Sequence, residues 1–557
     1  MKLIIKEYIS LLKESKELDS LIPELLLAMG HEVLSKPKIG HRQFGVDVAS
    51  MGIDEDGKEK IFLFTIKQGN ITRNDWNSNE QSVRPSLDEI LDVYIPNKLL
   101  DEYSHLPKKI VLTTGGDMEQ NVEENWKGYI ERYQKENEIE FDFWGGDKLS
   151  LLIEKYMFDE YIFPKELRSK FRKTLALLDD NDYDLKDYFK LINNLLFESS
   201  LASKNDKEKL KALNLLYLSL NIIYIWSKSN DNIKPVLIAS ERVLLNLYFF
   251  LYKNDFLNKR NLINVFQKIL NFYFKVIQEY SKKIYPHIEV ENGLALKGYD
   301  FLQESLILFE QLGIVSMYGI LYYFMMMNNL NENFDYKEYV EIKNHIKLMI
   351  KNHKGLLNPV YDEHIIDISL AIYLLELFNE KEFIEEWIMK MVDHISFAVM
   401  KGKYFPIDTN DFDDLVELNI YKDINKEEFL KISTLIPTLA FWCIKLDLKE
   451  AYNFICKIAK RFYNETTLQI WFPDNDLENF VYIENATFQS GYVFAPINLK
   501  ENINEMKEII DKIKEKGYFV KLKNKKFSIL YLISSRHFRM PILPHFYYKK
   551  ENDENIL

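Results

Sequence analysis

Two short stretches, Gly45-Val46-Asp47-Val48 and Thr65-Ile66-Lys67-Gln68, decide how the amino-terminal part of this 557-residue chain folds. Each stretch lies in a run of residues that is typical of a β-strand. Between them stands Asp54-Glu55-Asp56-Gly57-Lys58, a composition that favours a tight turn. The sequence therefore predicts a β-hairpin that brings Asp47 and Lys67 close together at one end of a small sheet.

The flanking segments predict a compact α/β sandwich around this hairpin. Residues 19–30 are typical of a helix, with Pro23 in the first turn and Gly30 at the end. A strand is predicted at 31–35, and later segments alternate between helix and strand as far as residue 157. The expected order is helix, strand, strand, strand, helix, strand, helix, strand, helix, which gives a mixed central sheet flanked by helices.

Beyond this region the chain has almost only helical periodicity. Aromatic and aliphatic residues recur three and four positions apart, and 427–445 is one of the helices that this spacing predicts. A small hairpin is predicted at 518–529. The acidic stretch around residue 180 is typical of a polar hinge. We therefore predict an α/β domain at 1–175, a linker at 176–186, and at 187–557 a large all-α domain, either a helical bundle or an irregular α-solenoid.

The bulk composition limits the possible partners and compartments. The net charge is −13, of which residues 1–165 carry −10, so counterion release from a generally basic surface cannot drive nucleic-acid binding. Two cysteines indicate a reducing compartment without a disulfide framework. The amino terminus lacks the features of a signal peptide, and no long apolar stretch is free of charges. We expect a cytoplasmic protein with no membrane partner.

Glu24, Asp47 and Lys67 form the candidate catalytic group. Hydrolysis of a phosphodiester needs a hard divalent cation, Mg²⁺ or Mn²⁺, which one or two carboxylates hold together with several waters. We predict Asp47 as the central metal ligand and Glu24, from the helix packed on the sheet, as the second. Lys67 would be the cation that positions the reacting groups. Taken singly, these residues are more often solvated polar side chains, so the hypothesis rests on their joint occurrence.

The same residues give the amino-terminal part a resemblance to a known family. Pro23-Glu24-Leu25-Leu26, Gly45-Val46-Asp47-Val48 and Phe64-Thr65-Ile66-Lys67-Gln68 resemble motifs of the PD-(D/E)XK nuclease superfamily, in the restriction-endonuclease-like branch that includes Mrr-type domains. Two later segments, around Gly115-Gly116 and Gly145-Gly146, are similar to the closing strands and helix of those domains. The resemblance covers about residues 15–165. It implies a metal-dependent DNA endonuclease.

The two-part layout also resembles bacterial defence effectors that act against phages or plasmids. In that layout the helical domain regulates the nuclease domain and binds a trigger, a partner protein or a second copy of the chain. The resemblance therefore implies a regulated enzyme and a possible homo-oligomer. The motif does not distinguish DNA from RNA as the substrate.

One position departs from the family pattern, which has Glu, Asp or Gln two residues before the lysine. This chain has Thr65 there, and a threonine hydroxyl is a weaker ligand than a carboxylate. Period-2 alternation directs the neighbouring Gln68 to the opposite face of the strand. Two alternatives stay open. Either Asp47, Glu24, the Ile66 carbonyl and waters hold the metal, with Thr65 in the catalytic group, or the fold is a degenerate nuclease that serves as a protein- or nucleic-acid-binding scaffold.

Residues that could contact nucleic acid surround the predicted site. They are Lys36, Lys38, His41, Arg42, Gln68 and Arg73. The first four belong to a basic loop that precedes the Asp47 strand, and lysine and arginine are the usual partners of backbone phosphates. A solvated loop is the competing interpretation.

Overall fold

The computed structural model describes most of the chain, in two compact units. The described residues are 2–35, 44–137, 139–157, 165–180, 184–295, 300–328, 334–409, 411–420, 426–473, 476–484, 492–515 and 527–542. The units are Met1–Pro235 and Val236–Leu557. The segment predicted as a linker, 176–186, therefore lies within the first unit.

The first unit has a mixed α/β part followed by helices. Its helices are α1 (Lys2–Ser10), α2 (Asp19–Met29), α3 (Arg73–Asn77), α4 (Val83–Glu89), α5 (Ile95–Asn97), α6 (Gln120–Asn137), α7 (Gly146–Tyr156), α8 (Lys165–Leu177), α9 (Lys186–Asn193) and α10 (Asp206–Ser229). Its strands are β1 (Glu32–Ser35), β2 (Val48–Ile53), β3 (Glu59–Lys67), β4 (Lys108–Thr114) and β5 (Glu140–Trp144). Glu14–Leu18, Ile90–Tyr94 and Asn194–Glu198 are π-helical turns.

The five strands form one mixed sheet in the order β1-β2-β3-β4-β5. β1, β2 and β3 pair antiparallel, whereas β3, β4 and β5 pair parallel. The predicted hairpin is confirmed, because β2 and β3 join through a turn in which Asp54 N–H donates to the Lys58 carbonyl at 2.9 Å and Gly57 has φ +79°. Asp47 lies one residue before β2. The predicted order of helices and strands is also confirmed.

The sheet is covered on both faces, since every residue of β3 from Lys60 to Ile66 is buried. Leu63 and its neighbours on one face pack into a core with α4 and α6, where Leu87 and Trp126 lie. On the other face Phe64 packs edge-on against Trp144, with ring centroids 5.1 Å apart. Lys67 emerges at the end of the strand, where it is half-buried.

The second unit is largely helical, as the sequence predicts. Its helices are α11 (Lys234–Lys253, which begins at the boundary), α12 (Arg260–Ile288), α13 (Phe301–Met327), α14 (Tyr336–Asn352), α15 (Ile365–Leu377), α16 (Lys381–Lys401), α17 (Phe412–Ile420), α18 (Leu435–Leu446), α19 (Lys449–Phe462), α20 (Ile503–Glu515) and α21 (Ile529–Phe538). Three strands, β6 (Ile432–Ser433), β7 (Thr467–Pro473) and β8 (Tyr492–Pro496), form a small sheet in that order.

The single helix predicted at 427–445 is wrong. A 3₁₀ turn, Lys426–Leu430, is followed by β6, and α18 begins only at Leu435. Pro437 explains the late start, because proline has no N–H to donate and is tolerated only in the first turn of a helix. The buried Asp362 carboxylate accepts a hydrogen bond from Leu435 N–H at 3.0 Å and so caps this new start. The hairpin predicted at 518–529 lies largely outside the described residues.

Among the helices that the structure describes, three are long and apolar enough to cross a membrane by length and composition. They are α10, α11 and α13, and their most apolar windows are 61%, 83% and 83% buried inside the protein. The expectation of no membrane partner stays a prediction.

Candidate active site

A strained turn places Asp47 directly before β2, at one end of the sheet. Phe44 and Gly45 both have positive φ, at 53° and 78°, a region that favours glycine. Gly45 also lies directly on α4, where a Cβ atom would stand 2.1 Å from the carbonyl oxygen of Ser86. The sequence therefore needs glycine at this position for two reasons, the backbone angle and the close approach of α4.

Asp47 binds β3 through its backbone and through its carboxylate. Its N–H donates to the Phe64 carbonyl at 2.8 Å, and its Oδ2 accepts from the Ile66 N–H at 2.7 Å. The carboxylate thus takes a position on β3 that a backbone carbonyl of the neighbouring strand would otherwise occupy. These two bonds bracket Thr65 and hold Asp47 against it.

Thr65 and Lys67 share one face of β3, as period-2 alternation predicts. Thr65 is buried, and its Oγ1 has no hydrogen-bond partner. A buried hydroxyl without a partner costs free energy, and the Oγ1 of Thr113 on β4 shares this state. The positive charge of Lys67 acts on Asp47 and lowers the pKa of its carboxyl. Asp47, Thr65 and Lys67 are therefore brought together.

Burial raises the pKa of Asp47 to about 6. The Ile66 hydrogen bond and the charge of Lys67 oppose this rise, whereas the negative charges of Glu14 and Asp19 add to it. Glu14 lies in the π-helical turn Glu14–Leu18, which contacts β3, and Asp19 begins α2. Glu14 and Asp19 are thus the acidic side chains of the helical layer that act most strongly on Asp47.

Glu24, the predicted second ligand, has a different set of interaction partners. Burial is the main cause of the raised pKa of Tyr8 on α1 and of Tyr217 on α10, and the charge of Glu24 adds to both rises. The pKa of Tyr217 reaches about 12. Glu24 is half-buried in the middle of α2. The structure therefore associates Glu24 with tyrosines of two other helices and associates Glu14 and Asp19 with Asp47.

The sequence does not single out Glu14 and Asp19, because they lie at an irregular junction between α1 and α2. A π-helical turn separates α1 from α2, and its extra residue per turn shifts the side chains that follow relative to a continuous helix. Asp19 follows Glu14 by five positions, a spacing that regular helical periodicity does not put on one face. Glu24 stood out because it interrupts an apolar run.

The predicted nucleic-acid contacts divide into two groups. Lys36, Lys38, His41 and Arg42 lie outside the described residues. Gln68 and Arg73 are exposed, Gln68 directly after Lys67 and Arg73 at the start of α3. Thr72 caps α3 through a reciprocal arrangement with Asp75, which fixes this short helix just after the end of β3.

Backbone atoms pack closely against the glycine-rich loops that follow β4 and β5, at the same end of the parallel strands. A Cβ atom on Gly115 would stand 2.3 Å from the carbonyl oxygen of Ile9, and one on Gly146 would stand 2.7 Å from that of Gly115. Lys6 of α1 pairs with Asp117 at 3.0 Å and with Asp147 at 2.9 Å. These glycines therefore serve the packing of α1 on the loops.

The acidic residues near Asp47 suit a weakly held, hydrated cation. Among the residues that the structure describes, no three histidine, cysteine, aspartate or glutamate side chains group closely enough to hold a metal ion. Mg²⁺ usually keeps several waters and takes only one or two carboxylates from the protein. Such a site would need only Asp47 and one of the acidic side chains that act on it, Glu14 or Asp19.

The shape of the surface gives no additional support. A cavity of about 590 Å³ near the start of α4 is lined by polar residues, among them Asn77, Glu80 and Glu89. A second, of about 420 Å³, lies in the other unit. Neither cavity is lined by Asp47, Thr65 or Lys67.

No protein-family model, curated protein or solved structure matches this chain. The resemblance described above therefore stays an expectation that rests on the motif residues. Any functional conclusion has to come from the local geometry around Asp47.

Proposed function

We propose that the first unit is a metal-dependent nuclease that hydrolyses phosphodiester bonds, with DNA as the preferred substrate. The observation that carries the proposal is the fixing of the Asp47 carboxylate on the Ile66 amide, beside the unpaired hydroxyl of Thr65 and within the field of Lys67. A carboxylate, a hydroxyl and an ammonium in this arrangement can bind a hydrated cation and a phosphate side by side.

Each residue has a separate role in this proposal. Asp47 is the central carboxylate, and its hydrogen bond to Ile66 prevents it from rotating away. Lys67 donates to a phosphate oxygen and stabilises the charge that develops there. Thr65 orients a water through its hydroxyl.

A divalent cation, Mg²⁺ or Mn²⁺, would be held by Asp47 and by Glu14 or Asp19, which take the place that the sequence assigned to Glu24. When bound, it supplies the positive charge that activates water and neutralises the phosphate. Burial is the main cause of the raised pKa of Asp47, and the negative charges of Glu14 and Asp19 add to the rise. A cation bound beside Asp47 would offset both effects.

Because the first unit is acidic, a few local side chains have to provide its contacts to nucleic acid. Gln68 and Arg73 are exposed beside the end of β3, and they are the described residues that we propose to contact the substrate backbone. The larger, helical unit would then regulate the enzyme by binding a trigger, as in a defence effector against phages or plasmids.

A binding scaffold without catalysis is the second candidate function. Two observations favour it: a threonine occupies the position of a carboxylate, and the described residues contain no group of three metal ligands. In that case the fold of the first unit would be retained for contacts to protein or nucleic acid. The same experiment separates the two functions.

A cleavage assay with matched variants tests the proposal. Supercoiled plasmid DNA and single-stranded RNA are incubated with the full chain and Mg²⁺ or Mn²⁺. We expect Asp47→Asn and Lys67→Met to lose about 100-fold or more in rate, since each removes a charge that acts on the reacting phosphate. Asp92→Asn and Lys58→Met are the controls, because both residues are exposed and lie away from the site.

Each outcome of this assay has a definite meaning. Cleavage that survives both Asp47→Asn and Lys67→Met would overturn the assignment of the site. Binding of DNA without cleavage, unchanged in both variants, would favour the scaffold. Faster cleavage of RNA than of DNA would retain the site and change the substrate.

A further inference from the structure

A groove in the second unit, between α16 and α19, has the composition of a ligand site. It encloses a cavity of about 420 Å³, a volume within the usual range for small-molecule pockets. Its apolar walls are formed by residues of both helices, namely Phe397, Met400, Phe454, Ile458 and Phe462. This groove has no part in the phosphodiester chemistry proposed above.

Two large apolar side chains of the groove are left open to solvent. Phe397 is 56% exposed and Met400 is 57% exposed, although both stand on a helix whose opposite side is well packed. Large apolar groups that gather in a concave surface commonly mark a binding site. Phenyl rings favour a planar partner, because aromatic rings attract each other when offset or edge-to-face.

Two cationic side chains lie over aromatic rings of the groove. The Arg461 guanidinium lies over the Phe462 ring at 4.9 Å, and Lys401 Nζ lies over the Phe397 ring at 5.4 Å. Among the described residues, no carboxylate forms an ion pair with Arg461. An arginine next to an apolar groove that lacks an acidic partner is suited to receive an anion from a ligand.

Two further polar residues limit which anion fits. Asp393 also lines the groove, and its negative charge disfavours a ligand with several negative charges. His394 is held by Asn358, whose Oδ1 lies 3.2 Å from the histidine Nδ1. The groove therefore combines aromatic walls with one arginine, one aspartate and one histidine.

We propose that this groove binds a small planar aromatic molecule that carries one negative charge. Its ring would pack against Phe397 and Phe462, and its anionic group would receive hydrogen bonds from Arg461. The inference is independent of the proposed nuclease activity, since it rests on other residues and another unit. It gives the helical unit a ligand class that a binding experiment can test directly.

The test compares three probes on the full chain by isothermal titration calorimetry. They are 1-naphthoate, its neutral isostere 1-naphthamide, and acetate as an anion without a ring. We expect saturable, one-to-one binding of naphthoate, at least about 10-fold tighter than naphthamide, because a charge-assisted hydrogen bond contributes that much. Acetate should not bind at the same concentrations.

Variants connect the binding to the groove. Arg461→Gln should abolish the preference for naphthoate over naphthamide, and Phe397→Ala should weaken both. Arg260→Gln and Phe494→Ala are matched controls on exposed residues elsewhere in the unit. The proposal is wrong if naphthoate does not saturate the protein at millimolar concentration, if both aromatic probes bind equally, or if Arg461→Gln behaves like Arg260→Gln.

Discussion

Ionised Asp47 lowers the stability of the folded chain, because the folded environment favours its protonated form. Burial raises its pKa from the ordinary value of 3.8 to about 6. The folded state therefore holds a proton between about pH 4 and pH 6 that the unfolded state has released. Above pH 6 the full charge opposes folding, and this penalty shrinks as the pH falls from 6 to 4 and is absent below about pH 4. Residues that are optimised for function commonly reduce stability in this way.

Asp47→Asn should therefore raise the thermal stability of the chain at pH 7.5. Asparagine cannot ionise, and its side-chain oxygen can still accept the Ile66 N–H. A pKa difference of this size corresponds to about 1–3 kcal/mol. The melting temperature is measured for the wild type and for Asp47→Asn at pH 7.5 and pH 4.5, with Asp92→Asn as the control. An equal gain at both pH values would contradict the electrostatic origin.

Two of the residues around this site could be predicted from the sequence, and two could not. The hairpin pattern was sufficient to put Asp47 directly before β2 and Lys67 at the end of β3, because two strands joined by a tight turn pair in a regular geometry. Glu14 and Asp19 depend on a π-helical turn, for which no sequence pattern is available. Whether Asp47 and Lys67 act in catalysis stays a prediction.

At the scale of elements, the turn before β2 determines how the hairpin meets α4. Gly45 and Gly57 have nearly the same backbone angle, with φ of 78° and 79°. Only their surroundings differ, because a Cβ on Gly45 would stand 2.1 Å from the Ser86 oxygen and one on Gly57 has no neighbour within 4 Å. The pair therefore separates the effect of backbone angle from the effect of close packing.

Gly45→Ala should destabilise the first unit far more than Gly57→Ala does. We expect about 1–2 kcal/mol for Gly57→Ala, from the left-handed angle alone. Gly45→Ala should cost at least about 2 kcal/mol more, because α4 has to move, and cleavage activity should fall with it. Urea unfolding of both variants measures the difference. Equal losses would show that α4 adapts without cost.

The elements that could not be predicted share a common physical reason. The helix predicted at 427–445 fails because Pro437 forces a new start, and the buried Asp362 stabilises that start from a distant part of the chain. Local periodicity carries no information about such a partner. The helical character of the second unit, seen in long helices such as α12, could be predicted, since apolar spacing alone defines such helices.

At the scale of the whole molecule, buried neutral histidines make the stability of the two units respond differently to acid. The first unit contains His31, whereas the second contains His353, His364 and His537, all of them buried with a pKa that burial lowers. The unfolded chain binds protons at these residues near the ordinary value of 6.5, and the folded chain does not. Stability is therefore lost as the pH falls below about 6.5.

His537 is the clearest example of such a histidine, because its two ring nitrogens face opposite charges. Its Nδ1 lies 3.1 Å from Glu241 Oε2, and its Nε2 accepts from Arg242 Nε at 3.0 Å. Arg536 also binds Glu241, and Glu484 binds Arg242. A second proton on His537 would remove the acceptor for Arg242 and add a third cation to this buried network.

His537→Gln should reduce the acid sensitivity of the second unit, because glutamine can donate to Glu241 and accept from Arg242 without gaining a charge. Hydrogen exchange with mass spectrometry at pH 7.5 and pH 5.5, corrected for intrinsic rates, measures protection in α11 and α21. The wild type should lose protection in both helices at pH 5.5, and His537→Gln should keep more of it. The exposed His287→Gln is the control. Identical losses in wild type and His537→Gln would assign the acid response to His353 and His364 instead, because they are the other buried histidines described in this unit.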